Sequence, residues 1–237
     1  ADTLRIIPAI ERAGADIIEL GIPYSDPLAD GPTIQAASYK AVQQGVTTQM
    51  CLEIVEQLRH IGVSAPLVMM GYYNPILSYG VDRFAAECAK VGVDGCIIPD
   101  LPPEEQSSVR KAFGPLGISL INLIAPTSTD GRLELVCNYS DSFIYCVSVA
   151  GVTGARNSLP ADLPAFLGRV RQHTNLPLVV GFGVSERQHV AEIGHHADGA
   201  VVGSALINVI DSSSPGERAE SAGKFVAQLT DSGNRSG

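Results

Sequence analysis

The stretch Asp16-Ile17-Ile18-Glu19-Leu20-Gly21-Ile22-Pro23-Tyr24-Ser25-Asp26-Pro27-Leu28-Ala29-Asp30-Gly31-Pro32-Thr33-Ile34-Gln35 decides the reading of this chain. It opens as a strand. Ile17, Ile18 and Leu20 are apolar and two of them are β-branched, as in a parallel strand buried on both faces. Glu19 interrupts that run, and a carboxylate on a buried strand must be paired, protonated or chemically employed. Pro23, Asp26, Pro27, Asp30 and Pro32 follow, so the strand leaves into a stiffened acidic loop. Gly31-Pro32-Thr33 then opens a helix that runs through Ala36 and Ala37. Glu19 on the strand and Asp30 on the loop beyond it can face one pocket. A carboxylic acid beside a carboxylate is common equipment for acid–base chemistry. Two structural roles compete with that reading: Glu19 in a buried ion pair, and Asp30 as the cap of the following helix.

Outward from this stretch, strand and helix patterns alternate. Helical periodicity covers Leu4–Ala13 despite Pro8. Strand patterns cover Ala15–Leu20, Leu67–Gly71, Gly95–Pro99, Ile118–Ile124, Phe143–Val149, Leu178–Gly181 and Ala200–Gly203. Between them lie helical patterns over Pro32–Gln44, a segment capped by Thr47 or Thr48 with Leu52, Val55, Leu58 and Ile61 on one face, and a segment capped by Asp82. Others start at Pro102-Pro103-Glu104-Glu105 and run over Asp130–Cys137, Leu163–His173, Ser185–Ile193 and Pro215–Leu229. Repeated βα units with short loops imply one parallel sheet, either a (β/α)8 TIM barrel or a doubly wound sheet. Seven strands are counted where a closed barrel needs eight. The chain opens within a helix, so the expectation is a single barrel domain over residues 1–237 whose first strand is missing.

The bulk numbers restrict function. Net charge is −9 over 237 residues, which argues against nucleic acid as a partner. Anionic substrates remain open, because helix N-termini can hold phosphate on backbone N–H groups. The five cysteines form no C-x-x-C pair and read as buried free thiols of a reducing compartment. No run of eighteen apolar residues is present, so no membrane association is expected. The expected location is the cytoplasm, or an organelle stroma after removal of a transit peptide.

Two glycine-rich turns lie late in the chain, at Gly181-Phe182-Gly183-Val184-Ser185 and at Gly203-Ser204-Ala205. Phosphate-binding barrels use the loops after their last two strands, and glycine lets the backbone approach the ligand. Tight βα turns with positive φ are the competing account. The segment Tyr145-Cys146-Val147-Ser148-Val149-Ala150-Gly151-Val152-Thr153-Gly154-Ala155-Arg156 reads as a strand followed by a lid. Asp100 ends a strand and is expected to support Glu19 or a loop. Met69 and Met70 are expected to line an apolar pocket floor, with core packing as the alternative. His195-His196 has no suitably spaced carboxylate and reads as solvated, not metal-binding.

The opening stretch resembles, over its whole length, the signature of the tryptophan synthase α-subunit family, and the resemblance extends from residue 1 to about residue 229. It implies a (β/α)8 barrel, normally with one more strand and a short helix at its start. It implies retro-aldol cleavage of indole-3-glycerol phosphate to indole and glyceraldehyde 3-phosphate, with the indole ring as electron sink and no cofactor or metal in this subunit. Glu19 would transfer protons at indole C3 and at the side-chain hydroxyl, and Asp30 would hold the indole N–H. Tyr145 would lie beside the indole, Thr153 would contact Asp30, and Gly154, Gly183 and Ser204 would bind the phosphate. Phe182, Gly203 and Met70 would complete the substrate site. The implied partner is a β subunit carrying pyridoxal phosphate, in an α2β2 assembly, with the Pro23–Pro32 loop as contact surface and residues 149–158 as the lid. A stand-alone indole-releasing lyase and a non-catalytic regulatory subunit are the rival readings.

Overall fold

A computed structural model describes residues 2–147, 162–181 and 183–230. It opens with α1 (Thr3–Arg12), β1 (Ile18–Gly21), α2 (Pro32–Gln43) and α3 (Thr48–His60). Next come β2 (Leu67–Met70), α4 (Tyr73–Tyr79), α5 (Val81–Val91), β3 (Gly95–Ile97) and α6 (Ser107–Phe113). These are followed by β4 (Ser119–Ile124), α7 (Asp130–Asn138), β5 (Ile144–Val147) and α8 (Leu163–Arg171). The chain ends in β6 (Leu178–Gly181), α9 (Arg187–Ile193), β7 (Gly199–Ala200), α10 (Ser204–Ser212) and α11 (Arg218–Thr230). Each strand pairs in parallel with the next, in the order β1 to β7.

The sheet is curled. Helices beside its first strand meet helices beside its last: α1 packs on α11 and α2 on α10, and Lys40 pairs with Asp211 across the second contact. This is the barrel architecture expected from the sequence, with seven strands among the described residues. Thr47 is the cap of α3, its hydroxyl accepting from Met50 N at 3.3 Å. Asp82 does not cap α5; Gly80 holds that position and Asp82 sits in the first turn, where its charge still suits the helix dipole.

A clamp at the N-terminal ends of the strands occurs twice, four strands apart. Arg59, at the end of α3, donates to the carbonyl of Ala65 at 2.8 Å and to Asp94 at 2.6 Å, and Asp94 accepts from Leu67 N at 2.7 Å. Arg171, at the end of α8, donates to the carbonyl of Leu176 and to Asp198, and Asp198 accepts from Leu178 N at 2.8 Å. Each aspartate precedes one strand and fixes the first N–H of its neighbour, so the clamp sets strand register.

The core divides in the same way. One cluster joins α1 and β1 to β3, α5 and α6, with Leu52, Val55, Leu58, Phe84 and Phe113 at its centre; Ala222 and Val226 of α11 return to it. A second joins β4 to β6 through Leu133, Ile144, Phe166, Leu167, Val170 and Leu178. A small third cluster of Val68, Ile97 and Ile121, with Met70, Leu123 and Tyr145 against it, lies between them. Met70 packs against this third cluster, whereas Met69, 1% exposed, packs in the first cluster. All five cysteines are buried and unpaired as disulfides.

Candidate active site

β1 is not buried on both faces. Ile18 is buried, Glu19 is exposed, Leu20 is intermediate and Gly21 is exposed. The alternation arises because β1 is an edge of the described sheet: Ile18 and Leu20 pack into the first cluster while Glu19 takes the opposite direction. Water thus reaches Glu19, yet surrounding protein crowds it. That crowding, and then the charge of Asp30, pushes its carboxyl up to about 7. Glu19 thus lies on the face of β1 opposite the first cluster, with its carboxyl near that of Asp30. Among the described residues Glu19 has no salt-bridge partner.

Asp30 does not cap α2. Gly31 occupies the cap position, with no side-chain hydrogen bond to the helix. The half-buried Asp30 carboxylate instead accepts from the Tyr72 hydroxyl at 3.1 Å. Burial raises its pKa, and the Tyr72 hydrogen bond opposes that rise. The loop that carries Asp30 is pinned at several points. Tyr24 N donates to Ser38 Oγ, and Ser38 Oγ donates to the Tyr24 carbonyl, each at 2.9 Å. Gln35 Nε2 donates to the Asp30 carbonyl at 2.8 Å.

Tyr145 lies near both carboxylates: burial and then the charges of Glu19 and Asp30 raise its phenol. Its ring lies on Gly181 of β6. A Cβ at position 181 would stand 2.7 Å from the ring and 2.9 Å from the hydroxyl, closer than any such contact in a packed protein. Gly181→Ala should therefore displace Tyr145 and lower activity by up to about 10²-fold, as small misplacements at a reacting centre do. Steady-state rates with a crystal structure of the variant would check this; full activity with Tyr145 displaced would remove Tyr145 from the site.

Both late turns lead from a strand into a helix. Gly183 has φ of 72°, a left-handed conformation that suits glycine. Helix α9 starts only at Arg187, so Gly183 to Glu186 form a loop ahead of it. Gly203 precedes α10 directly, and Ser204 is the first residue of that helix. Thr153, Gly154, Phe182 and the expected lid, residues 149–158, lie outside the described residues. Asp100 accepts from Tyr73 N at 2.8 Å, holding the chain where α4 starts. His195 and His196 are exposed, and among the described residues no cluster of His, Cys, Asp or Glu could hold a metal ion.

Tyr72 is the site residue that sequence reasoning missed. It is 5% exposed and sits just past β2, at the strand end where barrel sites are built. Position alone was the available signal. Gly181 was read only as part of a phosphate turn, and its contact with Tyr145 has no local signature.

Comparison with known proteins bears on the whole chain. A family model described as "Tryptophan synthase alpha chain" matches residues 1–232. The tryptophan synthase alpha chain of Roseiflexus castenholzii is 55% identical over 226 residues, covering 95% of this chain and 87% of the relative. That of Chloroflexus aggregans is 49% identical over 233 residues, covering 98% and 87%. Among solved structures, one describing mutual activation of the tryptophan synthase α2β2 complex of Pyrococcus furiosus superposes with a TM-score of 0.90 at 39% identity, covering 96% of this chain and 91% of that one. With sequence and fold in agreement along nearly its full length, the chain belongs to the tryptophan synthase alpha chain family.

Proposed function

We propose that this protein is the lyase subunit of tryptophan synthase, cleaving indole-3-glycerol phosphate to indole and glyceraldehyde 3-phosphate in tryptophan biosynthesis. The observation that carries the reading is the Glu19–Asp30 pair at one strand end, with Glu19 poised near neutrality. A carboxyl of that pKa serves as acid and base in turn at neutral pH. Protonated Glu19 gives its proton to indole C3, which leaves a cationic indolenine. The resulting carboxylate takes the proton of the side-chain hydroxyl as the C–C bond breaks, the bond's electron pair returning to the ring. Glu19 ends protonated, ready for the next turnover. Asp30 accepts the ring N–H and stabilises its positive charge. Tyr145 and Met70 flank the ring. The backbone of Gly154, Gly183 and Ser204, with Phe182 and Gly203 beside them, holds the phosphate, so that remote binding energy aligns the reacting end.

The protein acts as one domain over residues 1–237 and uses no cofactor of its own. It works in the cytoplasm or an organelle stroma, and no helix among the described residues is long and apolar enough to cross a membrane. Its partner is a pyridoxal-phosphate β subunit that consumes the indole, in an α2β2 assembly. A structure described as the tryptophan synthase complex of Pyrococcus furiosus, 37% identical, supports that partner. The docking loop runs from Pro23 to Pro32. Leu28 at 90% exposure offers an apolar contact there, and the ties to Ser38 and Tyr72 reduce the entropy lost on docking. Indole release from indole-3-glycerol phosphate, assayed with and without a β subunit, tests the reading. Release enhanced by the β subunit is expected. Release unaffected by it would mark a stand-alone lyase, and none in either assay would refute the lyase.

A further inference from the structure

The hydrogen bonds around Tyr72 have only one consistent polarity. Ala29 N–H points at Tyr72 Oη at 2.8 Å, so the oxygen accepts there. A phenol carries one proton, and its remaining close partner is Asp30 Oδ2 at 3.1 Å. An ionised Asp30 can only accept, so the phenol proton must point to it. Were Asp30 protonated at that oxygen, the phenol would accept from it and have to turn its own proton away, with no other acceptor for it among the hydrogen bonds of the described residues. The arrangement thus favours the charged aspartate. The ring itself is fixed. Tyr24 stacks on it with centroids 5.3 Å apart, Asn74 Nδ2 donates to the Tyr24 hydroxyl at 3.4 Å, and Asp100 holds the adjacent Tyr73 N–H.

We infer that Tyr72 is a positioning residue for the cleavage reaction, a proton donor of fixed direction that orients the Asp30 carboxylate and keeps it ionised. This rests on the lyase reading of the same site. The groups facing this pair are Glu19 on β1, Tyr145 on β5 and Asp100 after β3; no cation is among those described. Among the described neighbours, which are acidic, the neutral Tyr72 hydroxyl is the donor to the Asp30 carboxylate. The Tyr72 hydrogen bond is the contact that lowers its pKa against burial.

Tyr72→Phe keeps the ring and the Tyr24 stack and removes the donor. Expected is a fall in kcat of about ten- to a hundredfold, the range for a hydrogen bond to a charged group, with KM within about threefold. The acid limb of the kcat–pH profile should move to higher pH, because Asp30 without its donor holds its proton longer. Tyr72→3-fluorotyrosine leaves the fold untouched and strengthens the donor, so it should move the limb to lower pH. Asp30→Asn combined with Tyr72→Phe should lose little more than Asp30→Asn alone. Carboxyl-carbon NMR titration of Asp30 gives the same test without turnover: its midpoint should rise in Tyr72→Phe. That readout separates the two claims, since a protein that releases no indole could still show the shift. An unmoved Asp30 midpoint, a loss confined to KM, or fully multiplicative losses in the double variant would each overturn the inference.

Discussion

Glu19→Gln is expected to reduce indole release by about 10³-fold or more, at the upper range for a general acid–base group acting at two steps. Glutamine matches the carboxyl in shape but cannot pass a proton to indole C3 or take one from the hydroxyl. The fold should be unaffected, since Glu19 makes no salt bridge among the described residues. Stability provides the control. Its folded pKa of about 7 lies above the ordinary glutamate value of 4.5, so the native state holds a proton that the unfolded chain has lost between those pH values. Native stability therefore declines as pH rises through that window. Glu19→Gln removes this decline, and thermal unfolding of the variant at pH 8 should match or exceed wild type. Wild-type kcat should fall above about pH 7 as the Glu19 proton is lost, and the residual activity of the variant should lack that limb. Single-turnover rates at several pH values check both points. Turnover within tenfold of wild type would exclude Glu19 from proton transfer.

Asp30→Asn should cost about 10²- to 10³-fold in kcat, the range seen when one charge-stabilising group is lost from a transition state. The amide can still meet the indole N–H through its oxygen, but it carries no charge to offset the cation that forms at the ring. It also presents an NH2 that can oppose the Tyr72 hydroxyl. Asp30→Glu retains the charge and moves it outward by one methylene, so its loss should be smaller. Binding of glycerol phosphate, which has no ring, should be unchanged in both variants when followed by calorimetry. Equal losses for the Asn and Glu variants would mean that position, not charge, is what residue 30 supplies.

Much of this site could be read from local chemistry. Glu19 and Asp30 stand out because charge interrupts an apolar run and a proline-rich loop, and Gly183 and Ser204 because glycine marks strand-to-helix turns. The strands were legible for the same reason, as short β-branched runs bounded by glycine, proline or aspartate. What escaped were relations between distant positions. Tyr72 meets Asp30 across 42 residues, and nothing near either one announces the other. Helix α4 was missed because it is seven residues long with a proline inside it, too short for periodicity to register. The burial of β1 was misread because an Ile-Ile run promises two covered faces, whereas strand neighbours decide whether both are covered. β7 is only two residues, shorter than its Ala200–Gly203 pattern, because Gly203 already turns the chain into α10.

The division of the core into two clusters bears on how ligand and scaffold depend on each other. Glu19 and Asp30 are carried by segments rooted in the first cluster, while Tyr145 and the Gly183 turn rise from strands of the second. Under the proposed function, a molecule with its ring at one end and its phosphate at the other spans both. Bound across that seam, it acts as a brace, and any movement that parts the two units must first release it. At a ligand concentration about a hundred times Kd the brace is worth about 2.7 kcal/mol against unfolding. The converse also holds: the distance between the reacting carboxylates and the phosphate seat is set by how one half rests on the other.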